Sequence, residues 1–488
     1  MSEVTHVGLE IHVQLLTDSK VFCACRNSYG DEANSNVCPV CLGYPGILPA
    51  LNEEAVTKAY QIARALGCTL SDSIGFERKN YFYPDLPKNY QISQYAAPLG
   101  VDGEFRYECD GDERHVRIRE VHLEEDAGKM IHAGDISLLD YNRAGTPLVE
   151  VVTQPDLRGG TEAEQFLIAF RALVRYLGVC DGNMEQGSLR ADANISVSDA
   201  EDRLGAKVEI KNLNSFKFVR AAISFEELRQ TAELTAGREV VSETRLWNEN
   251  RDVTESMRVK ETDSDYRYFG EPDLPPYRLS DAFFAEVVAR EVEQPLARRR
   301  RLAAEYGLND AQAAFVTAEP ETANFFEACL ASGGEGQAVA NWLAADVQKL
   351  LRQRGETLGS STLSPPRLAE LLALIARGEI TGKIGKQVLQ ATLDSDRDPA
   401  VVVEEDGLRP LTDTAALGQV LRDVLAEHPR VREQLDGGDR KPVGFLIGRV
   451  MERTAGQADP AAIRALIDTE LSAGGSEAAA EAGAGASG

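Results

Sequence analysis

The sequence predicts an α+β fold in which a half that contains a β-sheet is followed by a half that is all helix. Up to about residue 290, short apolar runs alternate with polar residues, and segments with helical spacing lie between them. These strand patterns do not alternate regularly with helices, which disfavours a doubly wound parallel sheet. From about residue 280 to residue 472 the strand patterns nearly vanish and amphipathic helical patterns replace them.

Each predicted element is assigned from the period of its apolar residues, which is two in a strand and about 3.6 in a helix. The predicted strands are residues 7–15, 115–123, 136–140, 148–152, 189–197, 206–210 and 240–247. The predicted helices include residues 52–67, 162–177, 215–234, 368–376 and 463–471. Residues 269–276 contain three prolines, so no regular structure is predicted there.

These patterns divide the chain into four expected regions. A catalytic domain covers residues 1–290, because a boundary is expected shortly after the proline-rich stretch. A helical domain covers residues 291–405, and a break around residues 394–407 separates it from a C-terminal helical unit at residues 406–472. Residues 473–488 contain only Ala, Gly, Ser and Glu, so we expect them to be disordered.

The chain is strongly acidic, with Asp+Glu 78 against Lys+Arg 52 and a formal net charge of −26 over 488 residues. Such a field disfavours general attraction to phosphate backbones or anionic lipid. The acids are scattered along the chain, and an acidic surface keeps a protein soluble in concentrated salt, so we interpret the charge as a sign of a halophilic habitat. A long apolar run and a signal-peptide pattern are both missing, which predicts a cytoplasmic protein with no membrane partner.

Four cysteines lie close together in two short-spaced pairs, Cys23 with Cys25 and Cys38 with Cys41. Thiolates at these spacings can converge on one ion from two adjacent turns, as in closed tetrahedral zinc sites. Such a site is structural, and its binding energy contributes to folding. A free or redox-active cysteine cluster and a catalytic zinc are the alternatives. The other four cysteines are expected to be small buried hydrophobes.

Strand alternation places ionisable residues together on one side of the first predicted strand. In residues 7–15, Glu10, His12 and Gln14 share one face, while the apolar residues share the other. Taken alone, this face is also what a strand exposed to solvent would show.

Two later strands repeat the pattern and weaken that alternative. Glu150 stands inside an apolar strand, where an unpaired charge is costly, so a metal or a cation is expected beside it. In residues 117–126, alternation puts His122 and Glu124 on one side and Glu125 on the other. Only one of these two glutamates can easily join a shared site.

Further acids lie on the next two strands, and together they favour a magnesium site. Asp192 belongs to a strand face with four polar groups, and Glu209 stands between two lysines, Lys207 and Lys211. A sheet lined with carboxylates and one histidine suits a hard divalent cation that is completed by phosphate oxygens. Residues 378–384 resemble a P-loop but are one residue short, so the sequence indicates phosphoryl transfer without a P-loop.

Lysines in a turn-rich, aromatic loop could neutralise a transferred phosphate. Lys79 and Lys88 lie in this loop, within the segments 78–81 and 87–90. The alternative for these two residues, and for the two lysines beside Glu209, is that they are ordinary solvated surface lysines.

At these residues the sequence resembles a known family. The motifs are VGLEIH at residues 7–12, the cysteine cluster leading into LGYPG at 42–46, KNYFYPDLPKNYQISQY at 79–95, HLEEDAGK at 122–129, DYNRAGTPLVE at 140–150 and VEIKNLNS at 208–215. Together they resemble the B subunit of the aspartyl/glutamyl-tRNA amidotransferases, and the likeness covers about residues 5–470. Ser264 is a departure, because His is expected there in many members.

The resemblance implies an architecture and partners. Residues 1–290 would form an antiparallel-sheet cradle domain with a fold related to glutamine synthetase. A helical domain and a tail domain that meets the tRNA elbow would follow, with Lys441 and Arg449 in the matching tail stretch 441–451. The small (C) subunit of the amidotransferase would complete the assembly.

The resemblance also carries roles to individual residues. The implied catalytic residues are Glu10, His12, Glu125 and Glu150, of which His12, Glu125 and Glu150 would hold Mg²⁺. The residues implied to lie around the nucleotide or the aminoacyl end are Lys79, Lys88, Asp192 and Glu209. Some relatives lack the zinc cysteines, which favours the structural role for zinc.

The main hypothesis is that ATP phosphorylates the side-chain carboxylate of Asp or Glu misacylated on tRNA, and that ammonia then forms Asn- or Gln-tRNA. The chain shows no Cys-His glutaminase arrangement and no Ser-Ser-Lys amidase signature, so the amidase (A) subunit is required to supply ammonia. One rival is a self-sufficient ATP-dependent ligase that acts on a small acid. The other is a non-catalytic tRNA-binding scaffold.

Overall fold

The structure is a computed structural model that describes residues 3–259, 266–409, 414–454 and 457–470. It divides into two compact units, Met1–Arg298 and Arg299–Gly488. The predicted mixture of helices with a large sheet is confirmed, and the strands of the described residues all belong to the first unit. The expected disordered tail at residues 473–488 and Ser264 both lie outside the described residues.

In the described residues, the first unit is built around one large sheet, which three smaller sheets accompany. The strands are β1 (Val4–Gln14), β2 (Thr69–Leu70), β3 (Ser73–Ile74), β4 (Glu77–Asn80), β5 (Tyr90–Ser93), β6 (Gly100–Cys109), β7 (Asp112–Glu125), β8 (Lys129–Ala133), β9 (Ile136–Asp140), β10 (Pro147–Thr153), β11 (Leu189–Ser198), β12 (Val208–Lys211), β13 (Glu243–Asn248), β14 (Val253–Val259), β15 (Phe269–Gly270) and β16 (Tyr277–Arg278). Within the described residues, the large sheet has the order β14-β13-β12-β11-β1-β10-β7-β6-β2, so β1 is its central strand. Neighbouring strands are antiparallel except β12 and β13, which are parallel.

One face of this sheet is apolar and carries the core of the first unit. Leu9, Ile11 and Val13 of β1 are fully buried, because alternate residues of a strand point to the same side. Three helices cover this face, and Phe166 of the second packs edge-on against Phe105 of β6 at 5.7 Å. The helices of this part of the chain are α1 (Glu53–Ala65), α2 (Gly160–Tyr176), α3 (Phe216–Thr235) and α4 (Asp281–Ala289), and α5 (Pro295–Tyr306) spans the boundary between the two units.

A three-stranded sheet in the order β15-β4-β5 lies in the first unit as well. The prediction that residues 269–276 lack regular structure is wrong for Phe269–Gly270, which pair with Arg78 and Glu77 of β4. The prolines of that stretch begin at Pro272, so Phe269 and Gly270 both keep the backbone N–H groups that a strand ladder requires.

The second unit is helical throughout the residues that the structure describes in it. Its helices are α6 (Asp310–Thr317), α7 (Pro320–Ala331), α8 (Gly336–Trp342), α9 (Gln348–Arg354), α10 (Pro365–Ala376), α11 (Gly382–Ser395), α12 (Pro399–Glu405), α13 (Thr414–Glu427), α14 (Pro429–Asp436) and α15 (Val443–Arg453). A π-helical turn, Leu343–Val347, joins α8 to α9, and residues 460–470 are also helical. No helix in the described ranges is long and apolar enough to cross a membrane.

Two separate hydrophobic cores stabilise these helices. One extends from Leu302 to Val403 and the other from Leu417 to Ile467. The predicted break at residues 394–407 is wrong in part, because α12 occupies residues 399–405 and its Val402 belongs to the first core. Pro399 is compatible with the first turn of a helix, where no backbone N–H is needed, so it starts this helix instead of interrupting one.

Candidate active site

Polar residues from neighbouring strands meet on the face of the large sheet opposite the core. Glu10 and His12 of β1 point to this face because the apolar residues between them fill the other. The antiparallel register sets Glu10 opposite Asp192 of β11 and sets His12 opposite Glu150 of β10. The alternation of side chains along β1 therefore determines the face to which Glu10 and His12 point. The strand register determines which acids lie beside them.

His12, Glu124 and Glu150 form a first cluster, which we call the His12 group. Each offers a ligand atom, and these atoms lie within 4.8 Å of one another. His12 Nε2 is 3.9 Å from Glu124 Oε1 and 3.8 Å from Glu150 Oε1. Ser93 Oγ donates a hydrogen bond of 3.0 Å to the second oxygen of Glu124. Carboxylates with an imidazole are suitable ligands for a divalent cation.

The electrostatics of the His12 group also fit a bound cation. Burial, with the neighbouring Glu124 carboxylate as the next cause, raises the pKa of Glu150 to about 7. Burial raises the pKa of Glu124 as well. Burial and then the positive charge of Arg190 lower the pKa of His12 to about 3, so its imidazole is neutral and keeps a lone pair for a metal. Two carboxylates that repel each other at close range are stabilised by a cation between them.

A second cluster consists of Glu10, Asp192 and Glu209, whose ligand atoms again lie within 4.8 Å of one another. Lys211 Nζ contacts Asp192 at 2.6 Å and Glu209 at 2.9 Å. Burial opposes the charge of Lys211, but the two carboxylates outweigh it and raise the pKa of this lysine. Asn194 Nδ2 donates to Glu10 at 2.9 Å. The predicted residues Glu10, Asp192 and Glu209 are thus brought together beside the His12 group.

Arg190 is a site residue that the sequence patterns did not single out. It lies directly opposite His12 in the register of β11 with β1. Its Nη2 donates to Asp126 Oδ2 at 2.7 Å, and Gln14 Nε2 donates to the same oxygen at 2.7 Å. The buried Asp126 therefore holds a permanent positive charge next to the histidine. The available signal was the polar face that Arg190 shares with Asp192, two residues further on.

The resemblance implied that Glu125 would hold Mg²⁺ together with His12 and Glu150. The structure groups Glu124 with these two residues instead. Glu125 Oε1 accepts hydrogen bonds from Lys88 Nζ and, at 2.8 Å, from the backbone N–H of Ile92. The physical reason is the alternation of β7, which turns Glu124 and Glu125 to opposite sides.

The lysines predicted to meet phosphate have different surroundings. The side chain of Lys88 is buried and paired with Glu125. Lys79 lies beside the His12 group, where its charge opposes the rise of the Glu124 pKa that burial causes. Arg78, in the same predicted segment as Lys79, is engaged by Glu271 through bonds of 2.7 and 2.8 Å. Of these three cations, Lys79 is the one next to the carboxylates of the His12 group.

The four predicted zinc cysteines converge, with their sulfur atoms within 4.8 Å of one another. A hydrogen bond from Cys23 is the main cause that lowers the pKa of Cys41 to about 4, whereas burial raises the pKa of Cys25 to about 11. Lys20 is fully buried nearby, with its Nζ 3.7 Å from Cys41 Sγ and 2.8 Å from the Asn36 carbonyl oxygen. Four thiols in this arrangement fit a closed tetrahedral zinc site.

The predicted tRNA-contacting residues lie in the second unit, and both are exposed. Lys441 precedes α15 and donates its backbone N–H to Asp439 at 3.0 Å. Arg449 lies on α15 and pairs with Glu452 at 2.6 Å. Their contact with RNA stays a prediction.

Two family models match the chain. The model described as the GatB/GatE catalytic domain matches residues 5–285, and the model described as the GatB domain matches residues 324–471. The first match contains every residue of the two carboxylate clusters and the four cysteines.

Curated relatives match over almost their whole length, and each is named as the B subunit of an aspartyl/glutamyl-tRNA(Asn/Gln) amidotransferase. The protein of Carboxydothermus hydrogenoformans is 43% identical over 471 residues, which cover 95% of this chain and 98% of the relative. That of Moorella thermoacetica is 45% identical over 471 residues, which cover 95% and 99%. That of Thermomicrobium roseum is 46% identical over 474 residues, which cover 96% and 98%.

The large sheet with its two carboxylate clusters thus lies within a catalytic domain of the GatB/GatE class. The chain belongs to the family of the aspartyl/glutamyl-tRNA(Asn/Gln) amidotransferase B subunits. The resemblance drawn from the sequence motifs is confirmed.

Proposed function

We propose that this chain amidates Asp or Glu misacylated on tRNA(Asn) or tRNA(Gln), as part of a glutamine-hydrolysing, carbon–nitrogen-bond-forming ligase. The observation that carries the proposal is the cross-strand register, which pairs His12 with Glu150 and Glu10 with Asp192 on one sheet face. Family membership over nearly the full chain supports the same reaction.

The reaction consists of two substitutions. A side-chain carboxylate oxygen of the misacylated residue attacks the γ-phosphorus of ATP, the bond from that phosphorus to the β–γ bridging oxygen breaks, and ADP leaves. Ammonia then attacks the carbonyl carbon of the acyl phosphate, the carbon–oxygen bond to phosphate breaks, and inorganic phosphate and one proton leave. Phosphate is a far better leaving group than a carboxylate oxygen, which explains the ATP requirement. Positioning and charge neutralisation are the protein's main contributions to such transfers.

The residues of the His12 group, His12, Glu124 and Glu150, would hold a magnesium ion. The ion would supply charge neutralisation for phosphate oxygens. The donor set supports this, since a neutral imidazole and two mutually repelling carboxylates lie within 4.8 Å of one another. Glu10, Asp192 and Glu209 would hold a further cation or the nucleotide's metal in the same way.

The chain's own cations have complementary tasks in this proposal. Arg190, held by Asp126, and Lys79 donate hydrogen bonds to phosphoryl oxygens and stabilise the negative charge on them. Lys211 keeps Asp192 and Glu209 ionised and oriented through its two contacts. Lys88 is paired with Glu125, and we assign it to the support of β7 instead of to nucleotide binding.

A structural zinc ion at Cys23, Cys25, Cys38 and Cys41 is also proposed. The convergence of the four sulfurs supports it, and the thiolate-favouring surroundings of Cys41 are consistent with it. The ion would stabilise the loop after β1, which has little regular structure of its own.

The remaining proposals concern architecture and partners. We propose a glutamine-synthetase-like cradle domain at residues 1–290, a helical domain at 291–405 and a tRNA-binding tail at 406–472 that uses Lys441 and Arg449. The unit boundary at Arg298 and the two helical cores support these divisions. The amidase (A) subunit would deliver ammonia, the small (C) subunit would complete the complex, and the reaction would take place in the cytoplasm.

Measurement of ATP hydrolysis by the assembled complex tests the proposal. Misacylated tRNA is expected to stimulate hydrolysis strongly, and free Asp, Glu and uncharged tRNA are expected to have little effect. Equal stimulation by a free amino acid would contradict the proposal and favour the small-molecule ligase. Amidation at the normal rate by the assembled complex that carries Glu150→Gln would favour the scaffold.

A further inference from the structure

Four tyrosines form a continuous row at the edge of the His12 group. The ring centroids of Tyr81 and Tyr266 are 6.2 Å apart, and those of Tyr266 and Tyr268 are 6.1 Å apart. Tyr268 and Tyr95 are stacked, with centroids 4.2 Å apart and planes inclined by 11°. We call Tyr81, Tyr266, Tyr268 and Tyr95 the tyrosine row.

Specific hydrogen bonds hold the backbone that carries this row. The side-chain amide of Asn80 donates to the carbonyl oxygen of Tyr266 at 3.3 Å and to that of Arg267 at 2.9 Å. Arg267 has a φ of +48°, a left-handed conformation that is uncommon outside glycine. The backbone N–H of Tyr95 donates to Glu77 Oε2 at 2.8 Å. A left-handed conformation is costly for a residue other than glycine and persists only where the surrounding structure holds it. The fold therefore maintains the backbone position of Tyr266 and Tyr268.

The row connects the carboxylates to the surface. At its inner end, Lys79 Nζ lies 4.8 Å from the centroid of the Tyr266 ring, and burial and the charge of Glu124 raise the pKa of Tyr81. At its outer end, Tyr95 is 48% exposed. Tyr268 covers one face of the Tyr95 ring, and the remaining exposed part of Tyr95 offers surface on which a flat ligand can stack.

We propose that the tyrosine row is a stacking platform for the unpaired bases at the 3′ end of the aminoacylated RNA. This inference rests on the proposed function and describes how that site binds the end of its RNA substrate. Single-stranded RNA ends are bound by stacking of their bases on aromatic side chains. Stacking engages the π-face of a base and not its phosphate, so this part of the binding suits a chain with a net charge of −26. The row also explains the segment around Arg267, to which the sequence patterns assign no role.

The test uses the assembled amidotransferase with Tyr95→Leu and Tyr268→Leu variants. Each is expected to raise KM for misacylated tRNA about tenfold, because base–aromatic stacking is typically worth that much, and to leave KM for ATP unchanged. Tyr95→Phe keeps the ring and is expected to restore the normal KM. Tyr277→Leu is the matched control, since Tyr277 is 45% exposed and lies outside the row.

The nucleobase could also come from ATP, and the two kinetic constants distinguish these sources. A rise in KM for ATP with an unchanged KM for tRNA would contradict the proposal and assign the row to adenine. Unchanged values for both, in a complex that amidates normally, would show that the row binds neither. A complex that cannot amidate misacylated tRNA at all would contradict the proposed function itself.

A direct probe is a tRNA in which an unpaired base at the 3′ end, upstream of the terminal adenosine, is replaced by the fluorescent base 2-aminopurine. Stacking on Tyr95 is expected to quench its fluorescence on binding, and Tyr95→Leu is expected to remove the quenching while Tyr95→Phe retains it. Equal quenching in the wild-type and Leu complexes would overturn the proposal.

Discussion

His12 of β1 lies directly across from Glu150 of β10, with Nε2 3.8 Å from Oε1. This contact depends on the register of two antiparallel strands, because a slip of one residue would set Val149 or Val151 opposite His12. The apolar residues of both strands are buried and lock that register. The core of the sheet therefore positions the ligand atoms of the candidate active site.

The two adjacent glutamates of β7 are predicted to respond differently to the same substitution. Glu124→Gln removes a carboxylate from the His12 group and is expected to lower kcat for amidation about 100-fold. Glu125→Gln leaves the buried ammonium of Lys88 without its counter-charge, and is expected to lower the free energy of unfolding by about 3 kcal/mol. Amidation kinetics and denaturant unfolding of both variants check this prediction.

The Glu124/Glu125 comparison contains its own control, since each variant serves as the reference for the other. Loss of divalent-cation affinity in Glu125→Gln, with normal affinity in Glu124→Gln, would reverse the assignment made from the structure. Mn²⁺ titration followed by electron paramagnetic resonance measures that affinity directly.

Arg190 is predicted to be required for phosphoryl transfer. Arg190→Gln removes the positive charge that Asp126 holds opposite His12, and is expected to lower the rate of ADP formation about 100-fold. Arg106→Gln is the matched control, because Arg106 is an exposed arginine of β6 that pairs with Glu104 and Glu113. An Arg190→Gln rate within about twofold of the control would contradict the assigned role.

The cysteine cluster is predicted to bind one zinc ion per chain. Removal of the metal by a chelator is expected to lower Tm by more than about 5 °C, because the binding energy of a closed site is folding energy. Cys38→Ser is expected to abolish stoichiometric zinc, whereas Cys109→Ala changes a buried cysteine outside the cluster and is expected to leave it intact. Full zinc content in Cys38→Ser, measured by elemental analysis, would exclude the proposed ligand set.

The acidic surface is predicted to make the protein tolerant of salt. At about 1 M KCl, where the Debye length is about 3 Å, repulsion among the scattered carboxylates is screened, and amidation is expected to remain at more than about half of its low-salt rate. A steep fall of tRNA affinity with salt concentration would instead indicate binding through many phosphate contacts. Filter-binding measurements across a salt series distinguish these results.

The period of the apolar residues predicted several strands and helices close to their observed positions. The predicted strand at residues 136–140 coincides with β9, and the helix predicted at residues 215–234 differs from α3 by one residue at each end. Asn52 was predicted within the first helix but caps α1 instead, since its side-chain oxygen accepts the backbone N–H groups of Glu54 and Ala55. Helix ends depend on such capping contacts, which periodicity does not encode.

Contacts between distant segments could not be predicted from the sequence pattern. The bond between Arg190 and Asp126 joins residues 64 positions apart, and the stacked pair of Tyr95 and Tyr268 joins loops whose relative position only the folded sheet determines. Strand alternation predicted that only one of Glu124 and Glu125 could easily join the site but did not choose between them; the resemblance favoured Glu125, whereas the structure groups Glu124 with His12. The side to which a residue points thus followed from local geometry, and its partners followed from the tertiary fold.

We propose that the His12 group takes part directly in phosphoryl transfer to the misacylated residue. The most direct test of this claim is the transfer of radiolabelled phosphate from γ-labelled ATP to misacylated tRNA, measured in the assembled Glu150→Gln complex without an ammonia donor. We expect the wild-type complex to form the labelled acyl phosphate and the variant to form less than about 1% of it. Labelling of tRNA at the wild-type rate by Glu150→Gln would contradict the claim.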